Sequence, residues 1–147
     1  MNREYPDRPI VGVSAVIFVD QAILLVRRNQ EPGRGEWSLP GGVVELGETL
    51  SEALKRELRE EVSIGIRIGG LISVFDRLVR DQENRVQYHY ILVDYWGWMT
   101  SGHPHPGSDV SEVQLVGPGQ LDLFEIGGEL KEAIWTAVDM RKPNLNI

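Results

Sequence analysis

The sequence contains no cysteine. That excludes disulfides, thiol nucleophiles and thiolate metal sites at once, and it agrees with a cytoplasmic location. It also lacks any apolar run near the roughly 18 residues a spanning helix needs, so no membrane segment is expected. The opening Met1-Asn2-Arg3-Glu4-Tyr5-Pro6 has none of the apolar character of a secretory signal. Positive charge is scarce as well: 15 Lys and Arg against 22 Asp and Glu give a net charge of −7. Binders of duplex DNA or long RNA show the opposite balance, so no long nucleic acid is expected as a partner. An acidic protein can still act on phosphates, provided that cations bridge the like charges.

What remains is the composition of a compact fold. Hydrophobic residues make up 41% and charged residues 25% of 147 positions, which suits one domain over residues 1–147. Val11 to Val19 is rich in β-branched residues and is followed, after Asp20-Gln21, by Ala22 to Arg28; the pair reads as a β-hairpin. Residues 29–42 are dense in Gly and Pro and read as a loop. From Thr49 to Val62 the periodicity is helical, with Thr49 and Glu52 spaced as a capping box. Ile66 to Leu78 and Val86 to Trp98 read as long strands, Ser101 to Ser108 as a loop, and Val113 to Val116 as a short strand. Leu130, Ala133, Ile134, Ala137 and Val138 mark a second amphipathic helix. The order of strands, helix, strands, helix predicts an α/β (α+β) fold, a mixed sheet with helices on its faces.

The first helix carries acids where it should not. On a wheel of about 100° per residue with Glu57 at zero, the apolar stripe from Ala53 to Val62 runs from about −40° to about 140°. Glu57 and Glu61, near 40°, fall inside that stripe, and Glu60 lies at its edge near −60° (approximate, from the same geometry). Ordinary surface acids belong opposite, where Glu52 is. Carboxylates converging on a half-buried face are disfavoured by burial and by mutual repulsion. A hard divalent cation with oxygen ligands, Mg²⁺ or Mn²⁺, offsets both costs. The alternative is a solvated helix end with internal arginine pairs.

These residues belong to a longer pattern. Gly42-x5-Glu48-x7-Arg56-Glu57-Leu58-x-Glu60-Glu61-x-Ser63-Ile64 resembles the Nudix box, the signature of MutT-like pyrophosphohydrolases, over 23 residues. One position departs: Ser63 stands where the family has glycine. Glycine there would relieve a left-handed helix end, so the departure bears on local stability. The resemblance implies an α/β/α sandwich and a role for each residue. Glu57, Glu60 and Glu61 match the metal ligands, joined by a backbone carbonyl of the Gly41-Gly42 turn. Arg56 matches the arginine that orients the glutamates, and Glu48 matches a secondary metal or base position. The implied reaction is attack of water on phosphorus in a pyrophosphate bond, a glutamate taking the proton. Many family members are homodimers.

Outside the box, Glu112 resembles a downstream loop glutamate that serves as a further ligand or base in several members; a solvated loop acid is the alternative. Arg27 and Arg28 end the second strand near the expected site and are candidates for substrate phosphate. His103 and His105, flanked by prolines, read as an exposed turn rather than a metal pair. Trp37 reads as packing rather than base stacking. Alternation sends His89 to one face of its strand and Tyr88 and Tyr90 to the other. The layout resembles members that hydrolyse ADP-ribose and similar nucleotide sugars, although Val79 stands where many of those carry proline. A (deoxy)nucleoside triphosphate pyrophosphohydrolase is the alternative substrate class. A non-catalytic nucleotide-sugar sensor is the alternative outside the enzymes, and the intact box acids weigh against it.

Overall fold

The computed structural model describes residues 3–107 and 109–142. The β-branched run forms β1 (Ile10–Val19), and the hairpin turns at Asp20, where φ is 54°, into β2 (Ala22–Arg28). The Gly/Pro-rich loop is not wholly irregular, because it contributes β3 (Trp37–Ser38) and β4 (Gly41–Val43). After α1 (Leu50–Val62) come β5 (Ile64–Arg80) and β6 (Val86–Gly102), each longer than its hydrophobic pattern suggests. β7 (Val110–Val116) starts earlier than expected and takes in Glu112, which is therefore a strand residue and not a loop acid. A 3₁₀ turn at Pro118–Leu123, unforeseen in the sequence, leads to α2 (Gly128–Arg141). Among the described residues no helix is long and apolar enough to cross a membrane.

The sheet is mixed, as the element order predicts. Its path is β3-β2-β1-β6-β5, with β4 also on β1 and β7 also on β2. β1 runs parallel to β6 from Ile10↔Tyr90 to Phe18↔Trp98 and antiparallel to its other partners. One edge of β1 is shared: β2 takes Phe18 and Val19, while β4 takes Gly12 to Ser14. Beyond its two pairs with β1, β2 continues against β3 and β7.

Strand alternation divides the core in two. Val13, Ala15 and Ile17 pack with Ala53, Leu54, Leu58 and Val62 of α1, all buried. Val16 and Phe18 point the other way and pack with Ile134 and Ala137 of α2. The result is the helix–sheet–helix sandwich.

Local chemistry fixes both ends of α1. Thr49 Oγ1 accepts the Glu52 N–H at 3.1 Å. At the far end Ser63 takes the left-handed conformation, φ 62° and ψ 35°. The His-Pro-His loop, expected as a plain exposed turn, closes over this end: His105 N–H donates to Val62 O at 3.2 Å and Gly107 N–H to Glu61 O at 2.6 Å. It thereby satisfies helix carbonyls that have no partner within the helix. Ser63 Oγ also meets His105 Nε2 at 3.1 Å, in an exposed position. Glycine removes the left-handed strain, worth about 1 kcal/mol, and loses only this exposed contact. Ser63→Gly is therefore expected to raise unfolding free energy by up to about 1 kcal/mol in urea titration. A loss of stability would mean that the histidine contact outweighs the strain.

Candidate active site

α1 lies against the start of β4, where Gly42 lacks the side chain that would block the helix and Gly41 the one that would block β1. A Cβ on Gly42 would run into the Glu57 carboxylate, and one on Gly41 would run into the Val13 carbonyl. This close approach lets the Gly41 N–H donate to Glu61 Oε1 at 2.8 Å. Glu61 and Glu57 thus meet the same turn from successive turns of the helix, in keeping with their places on the wheel.

Arg56 ties the remaining acids. Its Nε and Nη2 grip both oxygens of Glu48 at 2.6 and 2.9 Å, a bidentate pair. Nη2 also donates to Val43 O at 3.0 Å, and Nη1 donates to Glu57 at 2.9 Å and to Glu60 at 3.2 Å. Glu48 and Glu57 are 17% and 16% exposed, whereas Glu60 is 54% exposed, in keeping with its place at the stripe's edge. The structure therefore brings Glu48, Arg56, Glu57, Glu60, Glu61 and Gly42 into one site.

The acids differ in their hold on a proton. The Arg56 hydrogen bonds, then a backbone N–H, keep the Glu48 carboxyl below its ordinary range. Burial raises Glu57, with Arg56 partly opposing. Burial also pushes Glu61 up to about 8, against the Gly41 N–H and helped by the nearby Glu57 charge. Among the described residues no three carboxylates or imidazoles already stand together as a ligand set. The donor chemistry nevertheless fits a hard divalent cation. It consists of carboxylate oxygens pressed on a glycine turn, two of which are costly to ionise without one.

The flanking candidates separate. Arg27 donates to Glu112 Oε1 and to Gly35 O, both at 2.9 Å, and lies over the Trp37 ring. Glu112 is thus an ion-pair partner of Arg27. Arg28 instead donates through Nε to Pro32 O at 2.7 Å and is held below its usual guanidinium range, first by burial. Trp37 packs as expected, edge-on to Phe124 at 5.3 Å between centroids. Tyr88 and Tyr90 are buried together, and His89 lies on the opposite face.

Asp94 escapes a reading of the sequence. It is a polar residue only 6% exposed, and it accepts the Ser14 hydroxyl at 2.5 Å. Burial raises its pKa. Ser14 backs onto Gly41, so this pair props the turn that meets Glu61. The one signal available in the sequence is an acid in the middle of an otherwise apolar strand.

The Glu61 proton has a measurable consequence. The folded chain keeps it between the ordinary value of 4.5 and about 8, whereas the unfolded chain gives it up. Its contribution to stability is complete at low pH and is lost as pH rises through that window. Metal-free melting temperature is expected to fall across the window more steeply for the native chain than for Glu61→Gln. Parallel curves would place the proton elsewhere.

Comparison with known proteins agrees with this geometry. The NUDIX domain family model matches residues 8–136. An ADP-ribose pyrophosphatase of Methanocaldococcus jannaschii is 35% identical over 107 residues, covering 73% of this chain and 61% of its own. A Bacillus subtilis protein assigned provisionally as an 8-oxo-dGTP diphosphatase is 32% identical over 112 residues, covering 76% and 68%. The chain thus spans about six-tenths to two-thirds of the length of these relatives. A MutT NUDIX hydrolase from Burkholderia pseudomallei superposes with a TM-score of 0.75 at 26% identity, over 88% of this chain and 98% of that one. With box, turn and sandwich all in place, the chain belongs to the Nudix family.

Proposed function

We propose that this protein is a divalent-cation-dependent pyrophosphohydrolase that cleaves a nucleoside diphosphate linked to another moiety, ADP-ribose or a similar nucleotide sugar. The observation that carries the reading is the placement of Glu57 and Glu61, two acids with raised pKa values on one half-buried helix face against a glycine turn. Nudix hydrolases generally use divalent metal ions. Mg²⁺ or Mn²⁺ bound by Glu57, Glu60, Glu61 and the Gly42 carbonyl would acidify the attacking water and screen the phosphate oxygens.

The chain's own groups do the rest. Arg56 fixes the carboxylates and, always charged, accepts no proton itself. Glu48 is a weak base because Arg56 favours its ionised form. Glu57, whose hold on a proton burial strengthens, is a better acceptor than Glu48 for the proton of the attacking water. Arg28, near enough for the Glu61 charge to act on it, is the arm for substrate phosphate, while Arg27 is committed to Glu112. The 35% identical archaeal ADP-ribose pyrophosphatase supports the nucleotide-sugar class. The Bacillus relative supports oxidised nucleoside triphosphates as the second class to test. The lack of cysteine agrees with a cytoplasmic enzyme.

A hydrolysis panel containing ADP-ribose, UDP-sugars and 8-oxo-dGTP, with Mg²⁺ or Mn²⁺, tests the assignment. Chelator should abolish turnover and added metal restore it, and Glu61→Gln should lower kcat by about two orders of magnitude. Full activity in excess chelator would overturn the metal reading. Glu112→Gln separates two roles: a drop in kcat of about tenfold or more means that Glu112 leaves Arg27 to serve the site, and an unchanged rate leaves it as Arg27's partner.

A further inference from the structure

Asp94 is the one acid buried among the described residues, 6% exposed, and the proposed reaction gives it no task. Burying an acid costs free energy unless its partners make up the loss. Asp94 has a single hydrogen-bond partner among the described residues: the Ser14 hydroxyl donates to Oδ1 at 2.5 Å, and no cation pairs with it. An apolar side chain of similar size would suit its buried neighbours along β6, Val93 and Trp96, better. What Asp94 contributes is therefore to be sought in what Ser14 touches.

β1 lies between β6 and β4, and Ser14 pairs with Asp94 on one side and with Gly41 on the other. The approach to Gly41 is close: a Cβ there would lie 2.6 Å from Ser14 Cα and 2.8 Å from Ser14 Cβ. The next residue, Ala15, donates its N–H to Pro40 O at 3.1 Å. That carbonyl and the Gly41 N–H belong to one planar peptide, so fixing the first aims the second. The Gly41 N–H in turn donates to Glu61 Oε1 at 2.8 Å. An unbroken line of contacts thus runs from Asp94 through Ser14 and the Pro40–Gly41 peptide to a box acid.

The bond to Asp94 selects the state of Ser14. A serine side chain chooses among staggered rotamers, and its hydroxyl turns to whichever acceptor it finds. Tied to Asp94, the hydroxyl points toward β6 and away from Gly41. Released, it would turn to other acceptors, and the backbone packed on its Cβ is that of Gly41. We propose that Asp94 is a positioning residue for the cation site, acting through Ser14 to hold the Pro40–Gly41 peptide whose N–H orients Glu61. This rests on the reading of Glu61 as a cation ligand and adds to it a residue outside the box. Val13 and Ala15 pack on α1, so Ser14 and Asp94 act from the other face of the sheet. The plain alternative is that Asp94 and Ser14 only satisfy each other.

The test compares the native chain with Asp94→Leu, Asp94→Asn and Ser14→Ala, first without metal. Amide hydrogen exchange followed by NMR should show the Gly41 N–H exchanging about tenfold faster or more in Asp94→Leu and Ser14→Ala, with little change at Leu54 and Leu58 of α1. Calorimetric titration with Mn²⁺ should then show affinity weakened by about tenfold or more in the same two variants. Asp94→Asn keeps an oxygen that accepts the Ser14 hydroxyl, so it should recover most of both. Asp94→Leu combined with Ser14→Ala should be no worse than either alone, because both cut one link. Should Asp94→Leu not fold, Ser14→Ala decides by the same readings. In a native chain that binds Mn²⁺, either a Gly41 exchange rate or a Mn²⁺ affinity within about twofold of native in these variants would overturn the proposal. Exchange that rises equally at Leu54 and Leu58, or losses that Asp94→Asn shares in full, would do the same. A native chain that binds no Mn²⁺, with Gly41 loosened in Asp94→Leu, would leave the hold on Glu61 standing and defeat the cation reading instead.

Discussion

Glu57 and Glu61 share a helix face with Leu54 and Leu58, which are fully buried. A carboxylate on that face loses water without gaining a full set of partners, and two of them also repel. Most features of the site can be understood as responses to this constraint. Arg56 neutralises the outer part of the cluster by gripping Glu48 and reaching Glu57 and Glu60. The Gly41 N–H supplies Glu61 with a donor, and Gly42 makes room for Glu57. What these groups leave uncompensated shows as the raised pKa values of Glu57 and Glu61, an unfavourable charge that the proposed cation would offset.

A helix under such strain must be held from outside. Its apolar stripe anchors it to β1, and capping secures both ends: Thr49 at the start, and the loop from His103 to Gly107 at the finish. The loop closes on the carbonyls of Glu61 and Val62, one of them belonging to the most strongly perturbed acid. Fixing the backbone of Glu61 from behind while Gly41 fixes its carboxylate leaves that side chain little freedom, which is what a preorganised ligand requires.

How much of this is legible in the sequence depends on range along the chain. The box acids and Arg56 sit within one helix, where a period of 3.6 converts spacing directly into geometry, so spacing alone puts Glu57, Glu60 and Glu61 on neighbouring turns of one side. The hairpin and both helices are legible for the same reason. Glu112 reads as a loop acid because Val110 begins a strand whose partner, Arg28, is far away in sequence; pairing partners, unlike helical neighbours, leave no local period. The extra length of β5 and β6 is hidden likewise, since they sustain each other past the end of their apolar patterns. Asp94 is legible only as a misfit within an apolar strand, and its meaning depends on Ser14 across the sheet.

The division of β1's edge explains why chemistry and substrate choice can be separated in such a fold. β4 brings the glycine turn to α1, and β2, paired with β1 only at its start, carries Arg28 toward the same place from another direction. The acids proposed to hold a cation thus come from one helix, while Arg28, the proposed cationic arm, comes from a strand end. Changes in that arm would alter how firmly an anion is gripped, without disturbing the packing that keeps Glu57 and Glu61 against the two glycines. On the proposed reading, affinity for phosphate and the power to activate water are carried by different structural elements, and a substitution in one should leave the other's geometry intact.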